Sequence, residues 1–207
     1  SDVYKRQHFD FIAIPIIKKR LRMDTSQVII NEERPQLTKH LATRFKEKIG
    51  QNVNLLGEVV LGNGEADHRY HHYLEALESP DINYISVKIS GIYAQTHALN
   101  YEESFPELVS RMSALYQKAI DFPYTDEDGI KRSKFINLDM EEYKDAHFTL
   151  RLFKAVLNLP QFKNYSAGIV VQAYLPDAYD FQTELLEFAK ARVDGGGAPI
   201  LSLIHIS

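Results

Sequence analysis

The sequence has no cysteine among its 207 residues, which excludes disulfides, thiolate metal sites and a cysteine nucleophile and is consistent with a reducing compartment. It has no basic excess, because 24 Lys and Arg stand against 28 Asp and Glu; the net charge of -4 argues against a nucleic-acid partner. No apolar run approaches the roughly 20 residues that a membrane-spanning helix needs. With 44% hydrophobic and 25% charged residues, the chain has the composition of an ordinary globular protein.

The two ends of the chain are related through the genetic code. Residues 2–7 (DVYKRQ) can be encoded by GAT GTG TAT AAG AGA CAG, and the reverse complement of these codons encodes LSLIHI, which is residues 201–206. This inverted repeat is similar to the transposase end adaptor used to fragment DNA for sequencing. We therefore expect residues 1–7 and 201–207 to be translated adaptor, and the gene to have been cut at both ends.

Short β-rich runs alternate with helical patterns from residue 50 onward, which is typical of βα units and a parallel sheet. The predicted strands are 52–58, 84–90, 135–140 and 168–174, with a fifth expected after residue 200. The predicted helices are 14–23, 35–49, 65–77, 104–120, 141–157 and 183–193. In the helix 104–120, Leu108, Met112, Leu115 and Ala119 recur at three- and four-residue spacing and should face the sheet.

No glycine-rich dinucleotide fingerprint follows the first strand. The pattern therefore favours half of an eight-stranded barrel over a Rossmann sheet. We predict an α/β fold that comprises the N-terminal half of a (β/α)8 barrel, with about four βα units over 51–200, preceded by helices in 8–50.

The predicted strands carry polar side chains where barrel strands are normally continuous Val, Ile and Leu. Because side chains alternate between the two faces of a strand, these polar residues share one face of each strand. They are Asn52, Asn54 and Glu58 on the first strand, Ser86, Lys88 and Ser90 on the second, Asn137 and Asp139 on the third, and Gln172 on the fourth.

Lys88 is the residue that most needs explanation, since a buried lysine costs several kcal/mol unless a carboxylate accompanies it. Asp139 on the next strand is the natural candidate. Active sites of barrels lie at the C-terminal ends of the strands, where Glu58, Lys88, Asp139 and Gln172 all fall. The alternative is an internal salt bridge that only fixes strand register.

Three histidines, His68, His71 and His72, lie at helical spacing with Glu65 and Asp67, a pattern that would allow a metal site. The segment is rich in charge and should cover the outside of the sheet, so we interpret it as a solvated helix face and predict no metal.

Two further features lie beside the strand ends. Glu141 and Glu142 could form a carboxylate cluster with Asp139, but they also suit the first turn of a helix, which is the interpretation we prefer. Asp177 would either cap the helix that follows or make a contact at the rim of the barrel.

The basic residues within 18–22 would suit an anionic surface, although four charges are few for stable membrane binding.

Taken in order, four motifs resemble the first half of the proline dehydrogenase barrel: NLLGE at 54–58, ISVKIS at 85–90, FINLDMEEY at 135–143 and GIVVQAYLPD at 168–177. The likeness covers residues 14–200 and is closest to bacterial forms fused to a pyrroline-5-carboxylate (glutamate semialdehyde) dehydrogenase. It implies a distorted (β/α)8 barrel that binds FAD and oxidises L-proline to Δ1-pyrroline-5-carboxylate in proline catabolism to glutamate, passing electrons to a membrane quinone.

The resemblance also implies roles for individual residues. Lys88 is similar to the lysine beside the substrate carboxylate and the flavin, and Asp139 to its carboxylate partner. Gln172 is similar to the glutamine that hydrogen-bonds the flavin ring, with Met140 and Ala173 beside the cofactor. These are the expected catalytic residues, Lys88 and Asp139, and the expected FAD-binding residues, Asp139, Met140, Gln172 and Ala173.

Glu58 is similar to the third expected catalytic residue, a glutamate that pairs with a substrate-binding arginine and gates the pocket. Asn54 stands where some relatives have Asp, so a charge role does not transfer there. The family's basic fifth strand, later flavin loops and arginine pair would lie beyond Ile200. We therefore expect this chain alone to bind FAD weakly or not at all, to be inactive and, with unpaired sheet edges, to be poorly soluble.

The resemblance further implies a cytoplasmic protein that touches the inner face of a bacterial membrane. Two other functions fit the residues without the resemblance. One is a class I aldolase-like barrel in which Lys88 forms a Schiff base, activated by Asp139. The other is a non-catalytic barrel remnant that acts as an interaction module.

Overall fold

The computed structural model of the chain describes residues 14–18, 20–21, 34–55, 63–93 and 101–205. The chain divides into two compact units, Ser1–Glu47 and Lys48–Ser207. In the first unit, residues 14–18 and 20–21 are helical, and helix α1 spans Arg34–Lys46. Helices were predicted over 14–23 and 35–49, so helical structure is confirmed in both places.

The second unit is built on a five-stranded parallel sheet. Its strands are β1 (Val53–Asn54), β2 (Tyr84–Lys88), β5 (Phe135–Asp139), β6 (Gly168–Gln172) and β7 (Leu201–His205). They lie side by side in chain order, and each neighbouring pair is parallel. Sequential parallel strands with helices between them are the repeating unit of a βα barrel, so the predicted fold class is confirmed.

The described residues of this unit form five helices: α2 (Asn63–Glu78), α3 (Ile89–Ile92), α4 (Tyr101–Asp121), α5 (Ala146–Leu157) and α6 (Ala178–Asp194). Short 3-10 turns cover Tyr143–Asp145 and Pro160–Phe162, and a two-stranded hairpin pairs β3 (Tyr124–Thr125) with β4 (Lys131–Arg132). The hairpin was not predicted. Its tight turn relies on Asp126, whose carboxylate accepts backbone hydrogen bonds from Asp128 and Ile130, and on Gly129 at φ 77°.

The apolar face of α4 is buried as its spacing predicts. Leu108, Met112, Leu115 and Ala119 have no exposed surface. The sheet presents its apolar face in the same way, because Ile85, Val87, Ile136, Leu138, Ile169 and Val171 are all buried. The core therefore lies between the helices and the outer face of the sheet, which leaves the opposite face for polar residues.

Gly168 allows one of these polar residues to lie inside the curved sheet. It is in register with Asn137 on β5. A Cβ at Gly168 would lie 2.4 Å from Oδ1 of Asn137 and 2.9 Å from the ring of Phe135. Any larger residue would therefore clash with the side chain that helps to build the site described below.

Strand β7 lies in the segment predicted to be translated adaptor. It pairs with β6 from Gly168 opposite Leu201 to Gln172 opposite His205. A segment rich in Leu and Ile pairs with an open strand edge whatever its genetic origin, so the adaptor origin of these residues stays a prediction. No helix in the described part of the chain is long and apolar enough to span a membrane.

Candidate active site

The site residues predicted on three strands meet at one end of the sheet. Lys88 ends β2, Asp139 ends β5 and Gln172 ends β6. Lys88 and Asp139 are direct neighbours in the register of the two strands. Glu58, the fourth residue expected at this rim, lies outside the described residues.

Asp139 is held by a polar network on the inner face of the sheet. Its Oδ1 accepts hydrogen bonds from Oγ of Ser86 at 3.2 Å and from Nδ2 of Asn137 at 2.7 Å. Ser86 in turn accepts a hydrogen bond from Nδ2 of Asn52 at 2.9 Å. The predicted polar interior is confirmed for β2 and β5, where Ser86 and Asn137 are buried, while Asn52 joins the network from an exposed position just before β1.

Burial raises the pKa of Asp139 above its ordinary value, and the negative charge of Glu141 adds to the increase. The hydrogen bonds from Asn137 and Ser86 and the charge of Lys88 oppose this increase without cancelling it. Asp139 therefore takes up a proton at a higher pH than an exposed aspartate.

Lys88 forms its ion pair with Glu141, at 3.6 Å between Nζ and Oε1. The prediction that Asp139 is the partner is wrong, because the carboxylate of Asp139 is turned to Ser86 and Asn137. The preference for Glu141 as a helix-start residue is also wrong, since the 3-10 turn begins at Tyr143 and α5 at Ala146. Only the backbone path after β5 brings this carboxylate over the end of β2.

Gln172, at the end of β6, holds the backbone that follows β5. Its Nε2 donates to the carbonyl oxygens of Met140 at 3.1 Å and Glu141 at 3.2 Å. Its Oε1 accepts no hydrogen bond from the described residues. Met140, which follows β5, is buried, and Ala173, which follows Gln172 directly, is exposed.

Tyr73 on α2 supports the turn after β2 and was not anticipated. It is buried, and a Cβ on Gly91 of α3 would lie 2.8 Å from its hydroxyl oxygen. Burial raises the pKa of Tyr73 to about 12, although a hydrogen bond with the Lys88 backbone acts to lower it. A small residue after the strand, opposite a buried tyrosine, fixes the backbone that carries Lys88.

Asp177 makes the rim contact rather than a helix cap. It accepts a hydrogen bond from the Tyr143 hydroxyl, which ties the segment after β5 to the segment after β6. As N-cap residue of α6 it forms no side-chain cap hydrogen bond. The charge of Asp177 and this hydrogen bond raise the pKa of Tyr143.

The histidines predicted on a solvated helix face lie on α2. The rings of His68 and His72 lie 4.4 Å apart, centre to centre, and His68 and His71 are exposed. Among the described residues, no group of three His, Asp or Glu side chains is arranged to hold a metal ion.

Comparison with known families identifies the family to which this chain belongs. The family model described as proline dehydrogenase matches residues 37–200. The chain belongs to the proline dehydrogenase family. The match runs through β2, β5 and β6, and so includes Lys88, Asp139 and Gln172. A search of curated proteins found no match.

Solved structures of proline utilization A (PutA) share the fold of this proline dehydrogenase chain. The protein from Corynebacterium freiburgense is 36% identical, with a TM-score of 0.80 over 99% of this chain. The protein from Bdellovibrio bacteriovorus, inactivated by N-propargylglycine, is 27% identical, with a TM-score of 0.77 over 93% of this chain. The matches cover 20% and 21% of those proteins, so the chain spans about a fifth of their length.

Proposed function

We propose that the chain is part of an FAD-dependent enzyme that oxidises L-proline to Δ1-pyrroline-5-carboxylate in proline catabolism to glutamate. The observation that carries this proposal is the partly exposed ammonium of Lys88 beside the Asp139 network, at the rim where barrel enzymes bind substrate. The family match and the relatives named PutA support it.

The residues suit the charges of this reaction. Removal of a hydride from the carbon next to the amine leaves positive charge on the substrate, so the amine must be neutral and the carboxylate must be held by a fixed cation. Lys88 supplies such a cation. Both hydrogen bonds to Asp139 end on Oδ1, which leaves Oδ2 to hold or release a proton, and its raised pKa favours that role.

The side chains at the rim also fit a flavin. A primary amide with an uncommitted carbonyl oxygen, as in Gln172, can accept a hydrogen bond from a ring N–H. Asp139, Met140, Gln172 and Ala173 are the residues that would hold the ring, and the cofactor, when bound, accepts the hydride. Gln172 is preorganised for this, because its nitrogen is already fixed by two main-chain carbonyls.

The proposal includes the expected partners of the parent protein. These are a quinone that receives the electrons, peripheral contact with the inner face of a bacterial membrane, and a fused aldehyde dehydrogenase domain. Their support is the sequence resemblance.

The test uses the full-length protein that carries this segment. L-proline and a water-soluble quinone are supplied, and the cyclic imine product is trapped with an aminobenzaldehyde reagent. We expect proline-dependent quinone reduction and inactivation by N-propargylglycine, the compound that inactivates the Bdellovibrio bacteriovorus relative.

Two other results would contradict the proposal. Borohydride trapping of a carbonyl substrate on Lys88, without proline oxidation, would favour the aldolase-like alternative. Unchanged behaviour of the full-length protein after Lys88→Ala and Asp139→Ala would favour a non-catalytic role.

The 207-residue chain should be tested separately: saturable flavin binding with proline-dependent bleaching would show that our expectation of an inactive chain is wrong.

A further inference from the structure

Glu141 joins the ends of three strands. It follows β5 by two residues, and its Oε1 lies 3.6 Å from Nζ of Lys88 at the end of β2. Its Oε2 lies 3.4 Å from the backbone N of Ser90, in the turn after β2. Its own carbonyl accepts a hydrogen bond from Gln172 of β6. The main chain of Glu141 is thus held by one neighbouring strand while its carboxylate reaches the other.

The ion pair between Lys88 and Glu141 remains open to solvent. The side chain of Lys88 is 35% exposed and that of Glu141 is 29% exposed. A pair of this kind contributes little free energy, because water competes with both partners. A second anion that reaches Lys88 can therefore replace Glu141 at low cost.

Asp139 cannot take the same part. Its Oδ1 is committed to Ser86 and Asn137, which are both buried. Releasing Asp139 would leave those two buried donors without an acceptor, which is costly. Moving Glu141 costs less than moving Asp139, because Glu141 gives up a solvent-exposed ion pair and one long hydrogen bond of 3.4 Å from the half-buried backbone N of Ser90.

We propose that Glu141 is a positioning residue that holds Lys88 in the ligand-free site and is displaced by the carboxylate of the incoming substrate. The inference rests on the proposed function, because it takes Lys88 as the residue that binds the substrate carboxylate. Glu141 then keeps the ammonium of Lys88 at the rim between catalytic cycles and, by competing for it, weakens carboxylate binding.

The test measures binding rather than turnover. The full-length oxidised holoenzyme is titrated calorimetrically with cyclopentanecarboxylate, a ring carboxylate without the amine, and with its uncharged counterpart cyclopentanecarboxamide. We expect Glu141→Gln to lower the Kd of the carboxylate by about threefold, the size of effect typical of a solvent-exposed pair, and to leave the Kd of the amide unchanged.

Three variants isolate the cause. Glu142→Gln is the matched control, because Glu142 pairs with Lys144 at 2.8 Å instead of Lys88, and it should change neither Kd. Glu141→Asp keeps the charge, so it should bind the carboxylate within about twofold of wild type. In a protein that also carries Lys88→Met, Glu141→Gln should not lower the Kd of the carboxylate.

The inference is overturned if Glu141→Gln leaves carboxylate binding unchanged or weakens it, or if it tightens the amide equally. It is also overturned if the wild type oxidises L-proline but binds no cyclopentanecarboxylate. Failure of the proposed function is a different result, since the wild type would then not oxidise L-proline at all, and this inference would fail with it. Should Glu141→Gln not fold, Glu141→Ala takes its place, and unchanged or weaker carboxylate binding by that variant would contradict competition by charge.

Discussion

Two lysines lie at opposite ends of the same sheet, and the structure surrounds them differently. Lys88 ends β2 with its side chain 35% exposed and paired to the carboxylate of Glu141. Lys134 immediately precedes β5, is 2% exposed, and donates to the main-chain carbonyl of Ser79. Lys88, which we propose binds the substrate carboxylate, has a side-chain partner that can be replaced, whereas Lys134 is bound to a main-chain carbonyl that is fixed in place.

Arg192 lies at the same end of the sheet as Lys134 and, like Lys134, binds main-chain carbonyls. It donates to five main-chain carbonyls, those of Leu157, Phe162, Lys163, Tyr165 and Ala198. Tyr165 connects the two cations, because its hydroxyl donates to the carbonyl of Lys134 at 3.0 Å. At this end of the sheet, Lys134 and Arg192 are therefore both bound to backbone carbonyls.

Matched substitutions of the two lysines would test the contrast most directly. In the full-length enzyme, Lys88→Met should lower kcat/KM for L-proline by about 100-fold, because it removes the cation for the substrate carboxylate. Lys134→Met should leave kcat/KM within about threefold of wild type, since Lys134 is remote from the rim. Steady-state kinetics at saturating quinone measures both, and equal losses would show that the two ends are not functionally distinct.

Loss of Arg192 should have the largest effect on stability. Arg192→Ala removes a donor from five carbonyls, of which only those of Phe162 and Lys163 keep a backbone donor, and we expect it to lower the free energy of unfolding by about 3 kcal/mol. Chemical denaturation followed by circular dichroism measures this change. Lys190→Ala, an exposed position two residues earlier on the same helix, should stay within about 0.5 kcal/mol of wild type.

Gly168 lies between the two ends, and substitution there should disturb the packing of Asn137. Gly168→Ala places a Cβ 2.4 Å from Oδ1 of Asn137, so we expect a loss of about 2 kcal/mol from overpacking. Gly64→Ala is the control, because nothing lies within 4 Å of its Cβ position. An equal change at both glycines would mean that backbone entropy, and not the contact with Asn137, sets the result.

The smallest effect concerns the pH dependence of stability. Desolvation lowers the pKa of Lys134 to about 8 in the folded protein, while an unfolded lysine titrates near 10.5. Above pH 8 the unfolded state therefore holds more protons, so stability should rise with pH. We expect this rise between about pH 8 and 9.5, below the range in which tyrosines titrate, and expect Lys134→Met to remove it.

Thermal unfolding midpoints across that pH range measure the effect. Lys131→Met, at an exposed lysine on β4, should retain the wild-type slope. A slope that persists in Lys134→Met would assign the pH dependence to another group.

The regular elements were largely predictable from local patterns. The spacing of Leu108, Met112, Leu115 and Ala119 identified the buried face of α4, and the alternation in 84–90 identified the two faces of β2. The ends of elements were less predictable. The strand pattern continues to Ser90, yet β2 stops at Lys88, because Gly91 lets the chain turn against Tyr73 on the preceding helix, α2.

The meeting of Lys88, Asp139 and Gln172 at one end of the sheet could be predicted, but their pairings could not. Lys88, Asp139 and Gln172 were identified because polar residues at the ends of otherwise apolar strands are costly without a purpose. Glu141 was assigned to a helix start, since acidic residues before a helix usually have that role. Nothing in the local sequence distinguishes a glutamate that starts a helix from one that pairs with Lys88.

The residues that face the inside of the sheet and the strands that end in charge can be read from the local pattern of the chain, because side chains alternate between the two faces of a strand. The ion pair of Lys88 with Glu141 and the hydrogen bonds of Asp139 with Ser86 and Asn137 cannot be read from that pattern. These pairings depend on the register of β2 against β5 and on the backbone path after β5. Segments distant in the sequence hold that path, through Gln172 and through the contact between Tyr143 and Asp177.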